Sequence, residues 1–501
     1  MLKESSPQQY QIEMVTLEEL VPKNHLVRKV DAVIDFDFIR DEVAHLYCHD
    51  NGRPAIDPVV LFKMMLLGYL FGVPSERRLV QEIQVNVAYR WFLRIGLTDK
   101  IPDASTLSQN RIRRFNGTDV FQRIFDNIVE QAIAKGMVNG RVLYTDSTHL
   151  KANANPRKAV NVETPVKPSA YIDALNAAIN EDREVAGKKL LAPSKTVKMK
   201  NTKVSTTDPE SGFMHRDNKP KGFFWLDHRT VDGKHGIITD TYTTPGNIHD
   251  AQPYIARLER QLARFPLNPV AVGLDAGYFN AAVCHLTEQA GIIPVLGYRR
   301  PNKGQNTFQK KQFIYDEDKD VYRCPEGELL VYKTTSREGY RHYHSPADVC
   351  ARCPQLKSCT QSQNTQKVVT RHVWEASKER ANKMRLTPWG KKVYARRKET
   401  VERSFADAKQ HHGHRYARFR GLMNVQMQCL MAAAAQNMKK IALLAHLYLL
   451  LVQYSVLVEL MRRMREVQKG CKGSGGKNIA IATFGRSKRR TPPERWGSSA
   501  I

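Results

Sequence analysis

Three carboxylates stand at positions where a fold can build a reaction centre. Asp146 lies inside residues 141–150, a run rich in β-formers. Asp275 closes a second such run, Pro269-Val-Ala-Val-Gly-Leu-Asp275. Glu402 sits in Lys398-Glu-Thr-Val-Glu402-Arg-Ser-Phe-Ala-Asp-Ala-Lys409. This stretch meets no Gly or Pro before Gly413 and mixes charge with Val401, Phe405 and Ala408, the pattern of an amphipathic helix. On such a helix Lys398, Glu402 and Lys409 share one face. Brought together, three carboxylates can hold two divalent ions about 4 Å apart. Mg²⁺ suits them, because it takes oxygen ligands and keeps waters that phosphate oxygens replace. One ion lowers the pKa of an attacking water or 3′-hydroxyl, and the other stabilises the leaving oxygen. Lys409, two turns beyond Glu402, would hold a phosphate as a point charge. Plainer roles compete. Asp146 and Asp275 can be turn or cap residues, and residues 398–409 can be a surface helix with ordinary ion pairs. Glu399 rivals Glu402, which is preferred because it shares a face with Lys409.

The elements around these residues give the carboxylates a common address. Residues 1–139 read as helical. Asp57 caps an apolar run that has Pro58 at its first position, Ser75 caps a second helix, and residues 102–109 open a third whose far end carries Arg111, Arg113 and Arg114. Tyr89, Trp91 and Phe92 are expected inside. Short helices with exposed arginines suit a DNA-binding domain, and a packing domain with a basic face has the same signature. The period changes at Gly140. A strand over 141–150 is followed by a polar, basic insert (151–221) with one helix over 170–185. A hairpin at 222–244 turns at Asp232-Gly-Lys-His235. Asn247 to Asp250 cap a helix over 251–264, and a strand ending at Asp275, a helix over 281–290 and a strand over 292–298 follow. This order predicts a mixed sheet flanked by helices, with Asp275 at a carboxyl end near the sheet centre. It is the order of a ribonuclease-H-like core, here residues 140–299 and 374–460.

Residues 300–373 interrupt that core with short β-type runs and four cysteines: Cys324, then Cys350-Ala-Arg-Cys353 and Cys359. Such a set can give four thiolates to one structural Zn²⁺, with free or redox-active thiols as the other reading. Cys48, Cys284 and Cys429 sit in apolar surroundings and are expected in the core. Eight cysteines in 501 residues, with no basic-then-apolar start, do not make a secreted disulfide scaffold and point to the cytoplasm. The net charge of +28 points to an acidic polymer, nucleic acid before membrane. Residues 441–460 lack Lys and Arg and are long enough to span a bilayer. They also contain His446, Gln453 and Glu459, so a buried helix is the preferred reading over a membrane span. Residues 461–501 read as a basic, low-complexity tail.

Together the blocks Thr145-Asp146-Ser-Thr-His-Leu-Lys-Ala-Asn-Ala, Asp227-His-Arg-Thr-Val-Asp-Gly-Lys-His-Gly, Thr244-Pro-Gly-Asn-Ile-His-Asp, Asp275-Ala-Gly-Tyr and Arg397-Lys-Glu-Thr-Val-Glu402-Arg-Ser-Phe-Ala-Asp-Ala-Lys409 resemble those of bacterial insertion-sequence DDE transposases. The N-terminal region and the cysteine-bearing insert are similar too, so the likeness covers about residues 10–445. It implies cleavage and strand transfer of DNA, at the element's terminal inverted repeats and at target DNA, by a homodimer associated with the nucleoid. It also implies Asp146, Asp275 and Glu402 as ligands of Mg²⁺ or Mn²⁺. The family often shows Tyr-x₂-Arg-x₃-Glu-x₆-Lys around the glutamate. Glu402-x₆-Lys409 fits. Lys398 holds the arginine position and Ala395 the tyrosine position, while Tyr394 and Arg397 each lie one residue off. Lys409, Lys398 and Arg397 are the expected DNA contacts. The alternatives are a catalytically silent DNA-binding relative and a ribonuclease-H-like nuclease without strand transfer.

Overall fold

The computed structural model describes residues 14–48, 55–165, 171–192, 199–215, 221–298 and 307–471, with side chains to residue 466. Residues 472–501, most of the expected basic tail, lie outside the described residues. The chain divides into two compact units, Met1–Leu444 and Ala445–Ile501.

The first unit is organised around a six-stranded sheet. The strand Gly222–Asp232 pairs antiparallel with Val142–Lys151 on one side. On its other side it pairs with Ile238–Pro245 and the short Gly212–Met214. Ala271–Leu274 then pairs parallel with Val142–Lys151, and Ile293–Leu296 parallel with Ala271–Leu274. Taken in chain order, the five main strands lie 3-2-1-4-5, with the first three antiparallel and the last two parallel. This is the ribonuclease-H-like order that the sequence predicts. A parallel neighbour needs a crossover, which the helices Tyr254–Arg264 and Ala281–Gln289 supply. Their Tyr254, Leu258, Val283 and Cys284 bury one sheet face with Leu143, Val272 and Leu274. On the other face Leu150, Phe223 and Trp225 pack against Val425 and Cys429 of the helix Leu422–Cys471.

The N-terminal helices follow their local signals. Asp57 accepts a hydrogen bond from the Val59 amide at 2.9 Å, and Ser75 accepts one from the Arg78 amide at 3.2 Å. The helix Pro58–Leu70 is buried nearly all round. Its one charge, Lys63, pairs with Asp31 at 3.0 Å. Tyr89, Trp91 and Phe92 are buried as expected. Of the three arginines expected on an exposed face, Arg111 is buried, paired with Glu76 and stacked 4.1 Å from the Phe419 ring. Arg111 therefore joins the helical region to the chain that follows Glu402.

Several expectations need correction. The helix expected from residue 251 is Tyr254–Arg264. It begins after Pro253, which as the N-cap residue makes no side-chain cap bond. The helix expected over residues 398–409 is Val401–His411. Cys48 is exposed, whereas Cys284 and Cys429 are buried. The polar insert holds an unforeseen ribbon, Ala159–Pro165 against Met199–Ser205. Residues 314–372 form a five-stranded antiparallel meander.

The helix Leu422–Cys471 is buried from Val425 to Ala442 on its inner side. From Leu443 onward, including the described part of the second unit, Leu447, Leu450, Val452, Tyr454 and Leu457 are exposed. The expected buried helix over residues 441–460 is therefore helical but not buried. By length and composition it is apolar enough to cross a membrane.

Candidate active site

Strand register brings the first two carboxylates together. Thr145 pairs with Leu274 in the parallel ladder. The next residues on the two strands, Asp146 and Asp275, therefore stand side by side where the second strand ends. The third comes from the helix Val401–His411, which lies across the first two strands of the core and carries Glu402 in its first turn.

All three carboxylates meet one cation. The Arg397 guanidinium donates through Nη2 to Asp146 Oδ2 at 2.6 Å and through Nη1 to Asp275 Oδ1 at 3.5 Å. The same Nη1 lies 3.8 Å from Glu402 Oε1. The Arg397 side chain is 4 % exposed, against 20 % for Asp146, 50 % for Asp275 and 46 % for Glu402. A buried arginine thus faces carboxylates that open to solvent. Burial pushes Asp146 up to about 6. Arg397 and the Ser147 amide oppose that rise, while the charges of Asp275 and Asp250 add to it. Burial also works against the charge on Arg397, but Asp146 and Asp275 outweigh it and raise its pKa.

Arg397 reaches the site because the backbone before Glu402 is not a regular helix. The helix Pro388–Ala395 ends, and the Glu402 amide donates to the Arg397 carbonyl five residues back at 3.1 Å. This wide turn absorbs one residue. Tyr394 and Arg397, one residue off the family spacing, therefore point into the site. Lys398, which holds the family's arginine position, lies exposed in the turn, off the helix of Glu402 and Lys409. Arg397 Nη1 is 3.4 Å from the Tyr394 hydroxyl. That hydroxyl lies over Gly297, where an added Cβ would sit 2.5 Å from it, so the position must stay bare. Lys409 is half-buried in the last turn of its helix, close enough to His414 to lower that residue's pKa.

The same helix covers a second cluster. Asp227, Arg229 and His414 are fully buried. Asp227 Oδ2 accepts from Arg229 Nε at 2.7 Å and pairs with His414 Nε2 at 2.8 Å, and Oδ1 accepts from the Thr241 hydroxyl at 2.6 Å. Arg229 Nη1 donates to Gln436 at 2.6 Å and to Ser404 at 3.3 Å. Burial would raise Asp227, but Arg229 and His414 reverse this and hold it far below the usual carboxylate range. Among the described residues Asp227, His414 and Cys429 form the one group whose metal-ligating atoms all lie within 4.8 Å of one another. A cation does not suit them, because Arg229 already neutralises Asp227 in a site with no water to screen a further positive charge.

Two family models match the chain, one described as a transposase domain (DUF772) over residues 15–113 and one as a transposase DDE domain over residues 323–442. Both matched models are of transposase domains, and they support a DDE transposase. No curated protein matches the chain. Among solved structures, a piggyBac transposase synaptic complex with hairpin DNA aligns at 9% identity and a TM-score of 0.35, over 84% of this chain and 76% of that one. The Mos1 mariner paired-end complex with Mn aligns at 12% identity and a TM-score of 0.15, over 51% of this chain and 64% of that one. The fold assignment rests on strand order.

The site gathers further candidates whose place in it the sequence pattern does not mark. Asp250, read as a helix cap, lies near enough to raise the pKa of Asp146. Arg397, expected as a DNA contact, and Tyr394, one residue off the family spacing, enter the site through the wide turn before Glu402. Asp227, Arg229 and His414 belong to segments whose sequences show no sign that they meet. The four insert cysteines all line one small cavity in the meander domain, away from the three carboxylates.

Proposed function

We propose that Asp146, Asp275 and Glu402 are the catalytic carboxylates with which this transposase cuts and joins the ends of an insertion element. The observation that carries the reading is the contact of all three with Arg397. Their oxygens already surround one positive group, and the donor set is the hard, anionic kind that Mg²⁺ and Mn²⁺ take. A pair of such ions would supply an activated water or 3′-hydroxyl and a stabilised leaving oxygen.

The chain's own residues do the rest. Arg397 offsets the repulsion among three carboxylates, and its planar fork suits a phosphate oxygen. Tyr394 and the turn before Glu402 hold that guanidinium in place. Lys409 and the exposed Lys398 would meet the DNA backbone on the side of Glu402. The N-terminal helices, in a chain of net charge +28, are the candidate reader of the element ends, in a homodimer.

The test is nicking and joining of terminal-inverted-repeat DNA by the purified protein. Activity should require Mg²⁺ or Mn²⁺ and vanish in Asp146→Asn, Asp275→Asn and Glu402→Gln, with DNA binding kept. Wild-type protein that binds the ends and never cuts them would make it a silent relative. Cutting without joining would make it a nuclease.

A further inference from the structure

The meander domain has a small core. Phe313, Tyr322, Leu330, Tyr343 and Val369 are its buried apolar residues, with Phe308, Tyr315, Tyr332, Cys324 and Cys359 packed against them. A sheet of short strands with so few buried side chains gains from a covalent or metal staple. Beside this core lies a cavity of about 30 Å³, room for one ion or water rather than for an organic ligand. Four of its lining residues are cysteines.

Local backbone geometry presents these cysteines from three separate turns. Cys324 leaves the strand Val321–Arg323 and enters a tight turn, closed by its own amide donating to Glu328 O at 2.8 Å and by Gly327 N donating to Cys324 O at 2.9 Å. Cys350 and Cys353 span one turn, with the Cys353 amide donating to Cys350 O at 3.1 Å. Cys359 ends the short helix Leu356–Cys359. None is in a disulfide. Four thiolates gathered at that cavity would repel one another, so charge on all four sulfurs needs a cation among them.

The surroundings are prepared for that charge. Lys367 Nζ donates to the carbonyl of Cys359 at 2.7 Å and to that of Phe308 at 2.9 Å, tying down the fourth cysteine's loop with a positive group. Ser345 Oγ lies 3.1 Å from Cys350 Sγ and accepts the Lys367 amide at 2.9 Å, so its proton is free to turn to a thiolate.

We propose that Cys324, Cys350, Cys353 and Cys359 bind one structural Zn²⁺ that closes the meander domain, independently of the carboxylate site. The sulfurs do not stand within 4.8 Å of one another as they are, so their side chains must close on the ion as it binds. Each thiol gives up its proton to solvent as its bond to zinc forms, and no oxidant or reductant takes part. Four thiolates make a closed set with no open position, so the ion has no catalytic role.

Elemental analysis of the full chain purified under reducing conditions should find about one zinc per chain. Cys353→Ser and Cys359→Ser should each lower that at least tenfold, while Cys48→Ser, at the exposed cysteine, keeps it. Should the variants fail to fold, Co²⁺ added to the wild-type chain stripped of metal is the second measurement. A thiolate-to-cobalt charge-transfer band with tetrahedral d–d absorption is expected. Wild-type protein without zinc and without that band overturns the proposal. Zinc retained in both variants does so as well, as does a Cys350–Cys353 disulfide in protein prepared without oxidant.

Discussion

The helix Val401–His411 lies over two arginine–carboxylate clusters on the same sheet face, and they are built to opposite ends. Around Asp227 every carboxylate oxygen is taken by a donor, water is excluded, and the acid is held far below its usual range. Around Arg397 three carboxylates share one guanidinium, two of them half-exposed, and burial raises Asp146 to about 6. In the first cluster the carboxylate is fully engaged by Arg229, His414 and Thr241, and the cluster's role is to hold structure. Its arms reach Ser404 and Gln436, and so hold the helix of Glu402 to the sheet. The second has lone pairs to spare, which is what a cation site needs. Charge type does not distinguish a scaffold from a reaction centre here. The number of unfilled oxygens does.

Substitution should separate the two clusters. Asp275→Asn or Glu402→Gln should cost strand cleavage on the order of 10³-fold, comparable to losing a principal electrostatic contact, and leave the unfolding midpoint near that of wild type. Loss of fold and activity together would erase the contrast. Asp227→Ala should do the reverse. It leaves Arg229 buried without its carboxylate, at a cost of about 3–5 kcal/mol in urea unfolding. A cost under about 1 kcal/mol, the value of an exposed pair, would place Asp227 among the ordinary ion pairs.

Arg397→Gln tests whether the guanidinium stands where a metal cation goes. The metal-free variant should lose about 1–3 kcal/mol, and Mn²⁺ should raise its melting temperature more than it raises that of wild type. Equal rises would sink the idea.

The smallest effect is one of pH. Burial first, and then the positive charges of Arg229 and Lys409, hold His414 below its usual 6.5, although Asp227 pulls the other way. The unfolded chain therefore takes up a proton that the folded chain refuses, and stability should fall as pH drops below about 6.5, by at most about 1.4 kcal/mol per unit. Asp227 extends the loss below its usual 3.8, since its depressed pKa stabilises the fold only while it is ionised. His414→Gln should flatten the upper part of the curve. An unchanged slope between pH 6.5 and 5 would assign the acid sensitivity elsewhere.

What the chain announces by itself is what depends on neighbours in sequence. Asp57 and Ser75 cap their helices because a short side chain next to free amides needs no partner from elsewhere. The alternation of β-runs and helices leaves little choice of sheet order, because a parallel strand must follow a crossover. That order alone sets Asp146 beside Asp275. The tertiary structure decided the remainder. The extra residue before Glu402 became a wide turn instead of a shifted helix, so Arg397 and Tyr394 entered the site and Lys398 stayed outside. Asp250 came near enough to Asp146 for its charge to raise the Asp146 pKa. Arg111 turned inward to Glu76 and Phe419. Asp227, Arg229 and His414 closed into one network because burial leaves their charges nothing but each other to pair with. Each of these outcomes depends on which distant group fills a space, and periodicity carries no information about that.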